Sequence, residues 1–351
     1  MKKYQIKEVT PNYAHAGSKA ILDVGNIAEK QGFKAVNIVM QNSKPGYLNK
    51  FRRQVRFYRD WKKAYKNISK NAVVLLQNPF HYPQIIRNKI LTDLKNKKNV
   101  KFICLVHDVE LLREENPRKY YQKEFKQMLK LADVIIVHNL RMKEFFLEQN
   151  VPDSRIIVLK IFDYLTEKNS DKEKINYRKN IIIAGNLDSN KASYLRSLNK
   201  INCNFDLYGP NFKMKKYKNI FYHGVVSPDS LTDRITGGFG LVWDGESIDG
   251  CTGPFGKYLK YNNPHKLSLY LASGIPVVVW KDSAEASFVE ENGIGITVAS
   301  LTELPEVLNS VTLKDYRALL KNVNNVSRKI RGGMFTSSAL MSAVNMIEDF
   351  K

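Results

Sequence analysis

The sequence predicts an α/β protein built as two Rossmann-like, doubly wound halves that face one another across a cleft. Three observations predict it. Apolar runs of strand length alternate with helix-length segments almost throughout, the alternation restarts after one charged break, and 351 residues suit two units of about 150 better than one. In the first half, strands are expected near residues 4–9, 35–40, 72–77, 100–106, 134–138 and 155–159, with helices over 18–31, 84–95, 118–131 and 142–149. The stretch IFDYLTEKNSDKEKINYRKN over 161–180 is charged and turn-rich and is expected to link the halves. A second series opens with IIIAG at Ile181, and further strands are expected near 204–208, 220–223, 239–243, 276–280 and 296–298. The boundaries are therefore placed at 1–165 and 166–335, with a last apolar helix over 336–351 free to fold back on the first half.

Bulk chemistry narrows the class. Hydrophobic residues are 43% and charged ones 26%, a composition that folds. No apolar run reaches the roughly 18 residues that span a bilayer, and MKKYQIKEVT has no signal-peptide core, so a cytoplasmic protein is expected. Cys104 and Cys203 lie in apolar strand-like runs and Cys251 stands alone, which argues against a disulfide framework or a thiolate metal site. The net charge of +22 points either to an anionic partner or simply to a lysine-rich composition. Eight of the basic residues crowd into 47–66 against one acidic residue, Asp60, with Leu48, Phe51, Val55 and Tyr58 at helical spacing. Such a helix, with Trp61 and Tyr65, suits anionic lipid headgroups, or else is an ordinary surface helix packed on the sheet. No nucleic-acid module accompanies it, and nucleic acid is not expected as a partner.

The most informative segment runs from Gly237 to Gly274. GFGLVW has the composition of a covered strand, and Asp244, Gly245 and Glu246 follow its carboxyl end, where open α/β sheets bind ligands. Asn262, Asn263, His265 and Lys266 then surround Pro264 at a helix start, where unpaired N–H groups and a lysine attract phosphate. The turn after IIIAG brings Gly185 and Asn186, with Lys191 close to the next helix, and GIPVVVWKDSAEA repeats the design with Ser283 and Ala284 at a helix opening. A plain N-cap serves Asp282 or Ser283 equally well. On the opposite wall, KFICLVHDV ends a strand with His107 and Asp108, either of them a candidate to deprotonate an acceptor hydroxyl, though such a pair also serves purely structural ends. Gly17 and Ser18 open the first helix and are placed near the donor phosphates or the acceptor, or form a capped turn. The triplets Asp108-Val109-Glu110 and Asp244-Gly245-Glu246 suggest Mg²⁺ at first sight, but lysines and helix ends supply the positive charge, so neither metal nor cofactor is expected. P-loop, GxSxG, HExxH and CxxC patterns are absent.

The blocks KIFDYL, AGNL, GFGLVWDGES, FGKYLKYNNPHKLSLYLASGIPVVVW and FVEENGIG resemble bacterial galactofuranosyltransferases of polysaccharide biosynthesis and, more distantly, the streptococcal glucosyltransferase that adds the second sugar to serine-rich adhesins. The resemblance spans most of the chain and is densest over 237–295. It implies a GT-B fold, a UDP-sugar held mainly by the second half, and transfer without metal. On matching positions it implies that Lys266 neutralises the diphosphate, that Asn262, Asn263 and His265 shape the pocket, that Gly185 and Asn186 lie near the nucleotide, and that the helix opening at Ser283 and Ala284 receives phosphate. Retaining enzymes of this fold commonly carry two glutamates flanking seven residues; here Asp282 lies eight positions before Glu290, but Ser283 stands where the partner of Glu291 belongs, so the pattern is not cleanly present, which favours inversion. The reaction expected is transfer of galactofuranose from UDP-galactofuranose to a sugar acceptor, lipid-linked or protein-linked, in capsule, exopolysaccharide or O-antigen-like synthesis, on the inner face of the membrane. The alternatives are UDP-glucose transfer to N-acetylglucosamine on an adhesin and, further off, a non-catalytic basic module binding nucleic acid or membrane. Self-association is left open.

Overall fold

The computed structural model describes residues 1–9, 16–40, 46–80, 82–113, 118–166, 176–213 and 215–349. Among them are two six-stranded sheets in which every pairing between strands is parallel. The first contains β1 (Lys3–Val9), β2 (Lys34–Val39), β3 (Val73–Asn78), β4 (Lys101–Val106), β5 (Val134–Val137) and β6 (Ile156–Val158), in the order β2-β1-β3-β4-β5-β6. The second contains β7 (Asn176–Ala184), β8 (Asn204–Tyr208), β9 (Ile220–Tyr222), β10 (Gly237–Val242), β11 (Val277–Trp280) and β12 (Gly295–Val298), in the order β12-β11-β10-β7-β8-β9. Parallel strands need crossovers, and helices filling them bury both sheet faces. That is why the central strands are unbroken apolar runs: VVLL of β3, FICLV of β4 and VIIV of β5 are all buried. In each sheet the winding direction reverses once, between β1 and β3 and between β7 and β10, and a crevice opens at the carboxyl ends of those strands.

The helix Tyr47–Asn67 corrects one sequence reading. Its packed face is Phe57, Trp61 and Ala64, each fully buried, and the Trp61 indole N–H donates to Gln84 Oε1 at 2.6 Å. Trp61 is therefore core, while Leu48 and Phe51 are 75% and 69% exposed. Both apolar stripes have helical spacing, and only the larger aromatic pair at Phe57 and Trp61 fills the gap above the sheet.

The chain's last helix, Met334–Asp349, returns to the first sheet: Ala339, Leu340, Ala343 and Ile347 pack with Val73, Leu75, Ile103, Leu105, Val134 and Ile136. Asp163, in the connection between sheets, holds its start by accepting from the Phe335 and Thr336 N–H groups at 3.2 and 2.6 Å. A carboxylate at a helix N-terminus satisfies orphan donors and complements the dipole. Burial nevertheless pushes the Asp163 carboxyl up to about 6.

Candidate active site

The reversal point of the second sheet gathers three strand ends. Asp244 follows β10, Gly185 and Asn186 follow β7, and Lys281 to Ser283 follow β11. Asp244 is succeeded by Gly245 at φ 104°, where a Cβ would lie 2.2 Å from the Thr252 carbonyl; the loop closes only because no side chain is there. From the helix His265–Ala272, the Lys266 ammonium donates to Asp244 Oδ1 at 3.0 Å and to the Trp243 carbonyl at 2.9 Å. The one lysine of that helix thus stands at the carboxyl end of β10, in the crevice. Beneath it Glu285 is 1% exposed, and its carboxyl finds no hydrogen-bond partner beyond its own main chain among the described residues. Burial pushes it up to about 8; Lys266 draws it down and Asp244 raises it, so the three groups sense one another.

The facing wall comes from the first sheet. His107 directly follows β4, and its N–H bonds the Asn78 carbonyl across the β3–β4 register. Its Nε2 lies 2.7 Å from Gln77 Oε1, an oxygen that can only accept, so Nε2 carries the proton and Nδ1 is the basic nitrogen. Phe162 stacks on the ring at 5.2 Å. Asp108 is paired with Arg113 at 3.6 Å, and Arg113 also meets Glu110 at 3.5 Å. The walls touch: the Val109 N–H donates to the Tyr258 hydroxyl at 2.8 Å, and Arg113 lies over the Phe255 ring at 5.3 Å. Burial opposes the Arg113 charge, yet Asp108 and Glu110, with Tyr258 and Asp244 from the other half, hold it above its ordinary value.

Several expected contacts are brought elsewhere. Asn263 is 4% exposed and spent on the joint between the sheets: its main-chain N–H donates to His138 Nδ1, its amide donates to the His138 and Lys160 carbonyls, and its oxygen accepts from Asn139. His265 turns toward the connection, with Nε2 at 3.2 Å from the Asp163 carbonyl and its ring stacked on Tyr164. Burial lowers both His138 and His265 to about 4, so both are neutral bolts of the joint rather than ligand contacts. Ser283 and Ala284 do not open a helix: it starts three residues after Ser283, at Ala286, the Ser283 N–H and hydroxyl return to Trp280 O, and the Ala284 N–H donates to Leu259 O. Their donors are consumed, so the phosphate role expected there is withdrawn. Of the NNPHK block, Lys266 reaches the crevice, and Asn262 keeps a buried Oδ1 with no partner among the described residues. Gly185 and Asn186 sit at the β7 turn, Asn186 exposed and bonded to Asn211 at 2.8 Å; Lys191 is exposed one turn on. Gly17 and Ser18 lie in the helix Ala16–Lys30, and residues 10–15 before it lie outside the described residues. Among those residues no three His, Cys, Asp or Glu side chains gather as a metal site. Arg113, Tyr258 and Glu285 were not expected from the sequence; the only signal was their proximity in sequence to Asp108, Asn262 and Ser283.

Two family models cover the chain: the glucosyltransferase 3-like N-terminal domain over residues 3–161 and the C-terminal domain over 181–343. Over 250 residues, 70% of this chain and 72% of the relative, it is 34% identical to the β-1,6-galactofuranosyltransferase WbbI of Escherichia coli. The chain belongs to the glucosyltransferase 3-like family of glycosyltransferases. A second member, glucosyltransferase 3 of Streptococcus gordonii, is 26% identical over 278 residues, 78% of this chain and 79% of the relative. Among solved structures, Anabaena HepE, determined with UDP and glucose, superposes with a TM-score of 0.60 at 12% identity, covering 98% of this chain and 99% of that one. The fold of this family member is GT-B, as the sequence implied.

Proposed function

We propose that this glycosyltransferase moves galactofuranose from UDP-galactofuranose to a sugar hydroxyl of a cell-surface polysaccharide, with inversion and without metal, at the cytoplasmic face of the membrane. One observation carries the placement of the chemistry: Lys266 and Asp244 form an ion pair at the strand-reversal crevice, opposite the wall that bears His107. Asp244 Oδ1 occupies the ammonium as a phosphate oxygen of the donor would. On donor binding the lysine exchanges this carboxylate for the diphosphate, and Asp244 becomes available to the sugar. The turn at Gly185 and Asn186 flanks the nucleotide, and Asn262 Oδ1 accepts from it.

An acceptor hydroxyl attacks the anomeric carbon as the C–O bond to UDP breaks. His107 Nδ1 takes the hydroxyl proton, with Gln77 fixing the tautomer through Nε2. The departing diphosphate gains negative charge, which Lys266 compensates and to which Arg113 adds positive potential from across the cleft. Glucose transfer from UDP-glucose is the second reading, supported by the streptococcal relatives but at lower identity. The test is donor hydrolysis and thermal shift across UDP-sugars, with and without EDTA. Turnover of UDP-galactofuranose above UDP-glucose and UDP-galactose, unaffected by EDTA, is expected; preference for UDP-glucose, or a metal requirement, overturns the respective part.

A further inference from the structure

The helix Tyr47–Asn67 leaves a face that the fold does not use. Its rear is fixed by Phe57, Trp61 and Ala64, so the opposite side must look outward. There Tyr47, Leu48 and Phe51 are 91%, 75% and 69% exposed, and Ile85 of the neighbouring loop is 81% exposed. Gln54 holds that loop against the helix, its amide donating to Pro83 O at 2.9 Å and its oxygen accepting from the Ile85 N–H at 3.1 Å. Large apolar side chains on a braced surface, outside any core, mark a contact site.

Charge says what kind. A groove of about 460 Å³ on this helix is lined by Phe51, Arg52, Val55, Arg56, Arg59 and Asp60. Asp60, the single acid of the helix, accepts from the Val39 N–H at 3.0 Å. Three arginines on adjacent turns therefore share a groove with apolar walls. A second copy of this chain would bring the same basic face and a further +22 against it, so self-association is the wrong complement. An anionic bilayer supplies both halves of the match: phosphates for guanidinium groups, and an acyl boundary for Leu48, Phe51 and Ile85, with tyrosine at headgroup depth.

We propose that this face seats the enzyme on anionic phospholipid, Arg52, Arg56 and Arg59 taking lipid phosphates while Leu48, Phe51 and Ile85 enter the acyl boundary. The seat deepens the membrane-face reading above and is independent of the donor chemistry. The experiment is co-sedimentation of the full chain with phosphatidylcholine vesicles with and without phosphatidylglycerol, for wild type, R52S/R56S/R59S and L48S/F51S/I85S. None of the six residues is among those assigned to the donor or to proton transfer, and unchanged melting and UDP-induced stabilisation confirm folding. Wild type is expected to bind the anionic vesicles only, with loss on the order of a hundredfold for the arginine triple, from about a fivefold contribution per charge at the surface. The apolar triple should lose at least about tenfold. Absence of wild-type binding while donor is still hydrolysed overturns the seat and leaves the transferase reading standing. Binding that the apolar triple retains in full, or a dimer by light scattering that this triple dissolves, also overturns it.

Discussion

Glu285→Gln changes one atom and isolates one proton. Its carboxyl is raised by burial from 4.5 to about 8, so the folded protein holds at neutral pH a proton that the unfolded chain releases. The sign follows from linkage. Below pH 4.5 both states are protonated and nothing is lost; as pH climbs toward 8, stability falls by about 1.4 kcal/mol per unit, reaching about 3 kcal/mol near pH 7. Glutamine has no proton to hold, so the variant lacks this slope. Urea unfolding of both proteins at pH 4.5, 6, 7 and 8 gives the difference, in which all other titrations cancel. That difference should move in favour of E285Q by about 3 kcal/mol between pH 4.5 and 7, whatever constant offset the amide introduces. Parallel stability curves would refute a neutral buried Glu285.

Other consequences follow from the same geometry. Lys266→Ala should lower turnover about a hundredfold, near 3 kcal/mol, and abolish UDP-induced stabilisation, read by donor hydrolysis and thermal shift. As pH drops from 6.5 to 4, the stability of wild type relative to H138Q should fall by about 3 kcal/mol, because His138 is neutral in the fold and its depressed value protects only above its unfolded one; denaturation curves of both proteins give the difference, in which His265, Asp163 and Glu285 cancel. Gly209→Ala places a Cβ 1.7 Å from the Gly185 carbonyl at φ 142°, so a loss of at least about 2 kcal/mol and weaker UDP binding are expected by calorimetry.

The two sheets and nearly every strand were legible because parallel strands buried on both faces are continuous apolar runs, as in VVLL and VIIV. The strand ends were legible too, which is why Asp244, Lys266 and His107 reach the crevice. Asn263 and His265 were not: polar residues beside a helix start have the same pattern whether they face a ligand or bolt two halves together, and only the long-range partners His138, Asn139 and Asp163 decide. Ser283 and Ala284 failed for a local reason, since one extra turn consumed their N–H groups before the helix began. Glu285 carries no pattern at all; its meaning comes from burial.

The return of the last helix to the first sheet has a consequence for synthesis. As the chain leaves the ribosome, the first half emerges complete in strands but lacks Ala339, Leu340, Ala343 and Ile347, which cover one face of its sheet. Its exposed Val73, Ile103 and Ile136 stay uncovered until more than 170 further residues have been translated, and Asp163 waits as long for the N–H groups of Phe335 and Thr336. The half made first is therefore the half finished last, and a nonsense codon at position 334 would uncover that face of the first sheet while leaving the strands of the second intact.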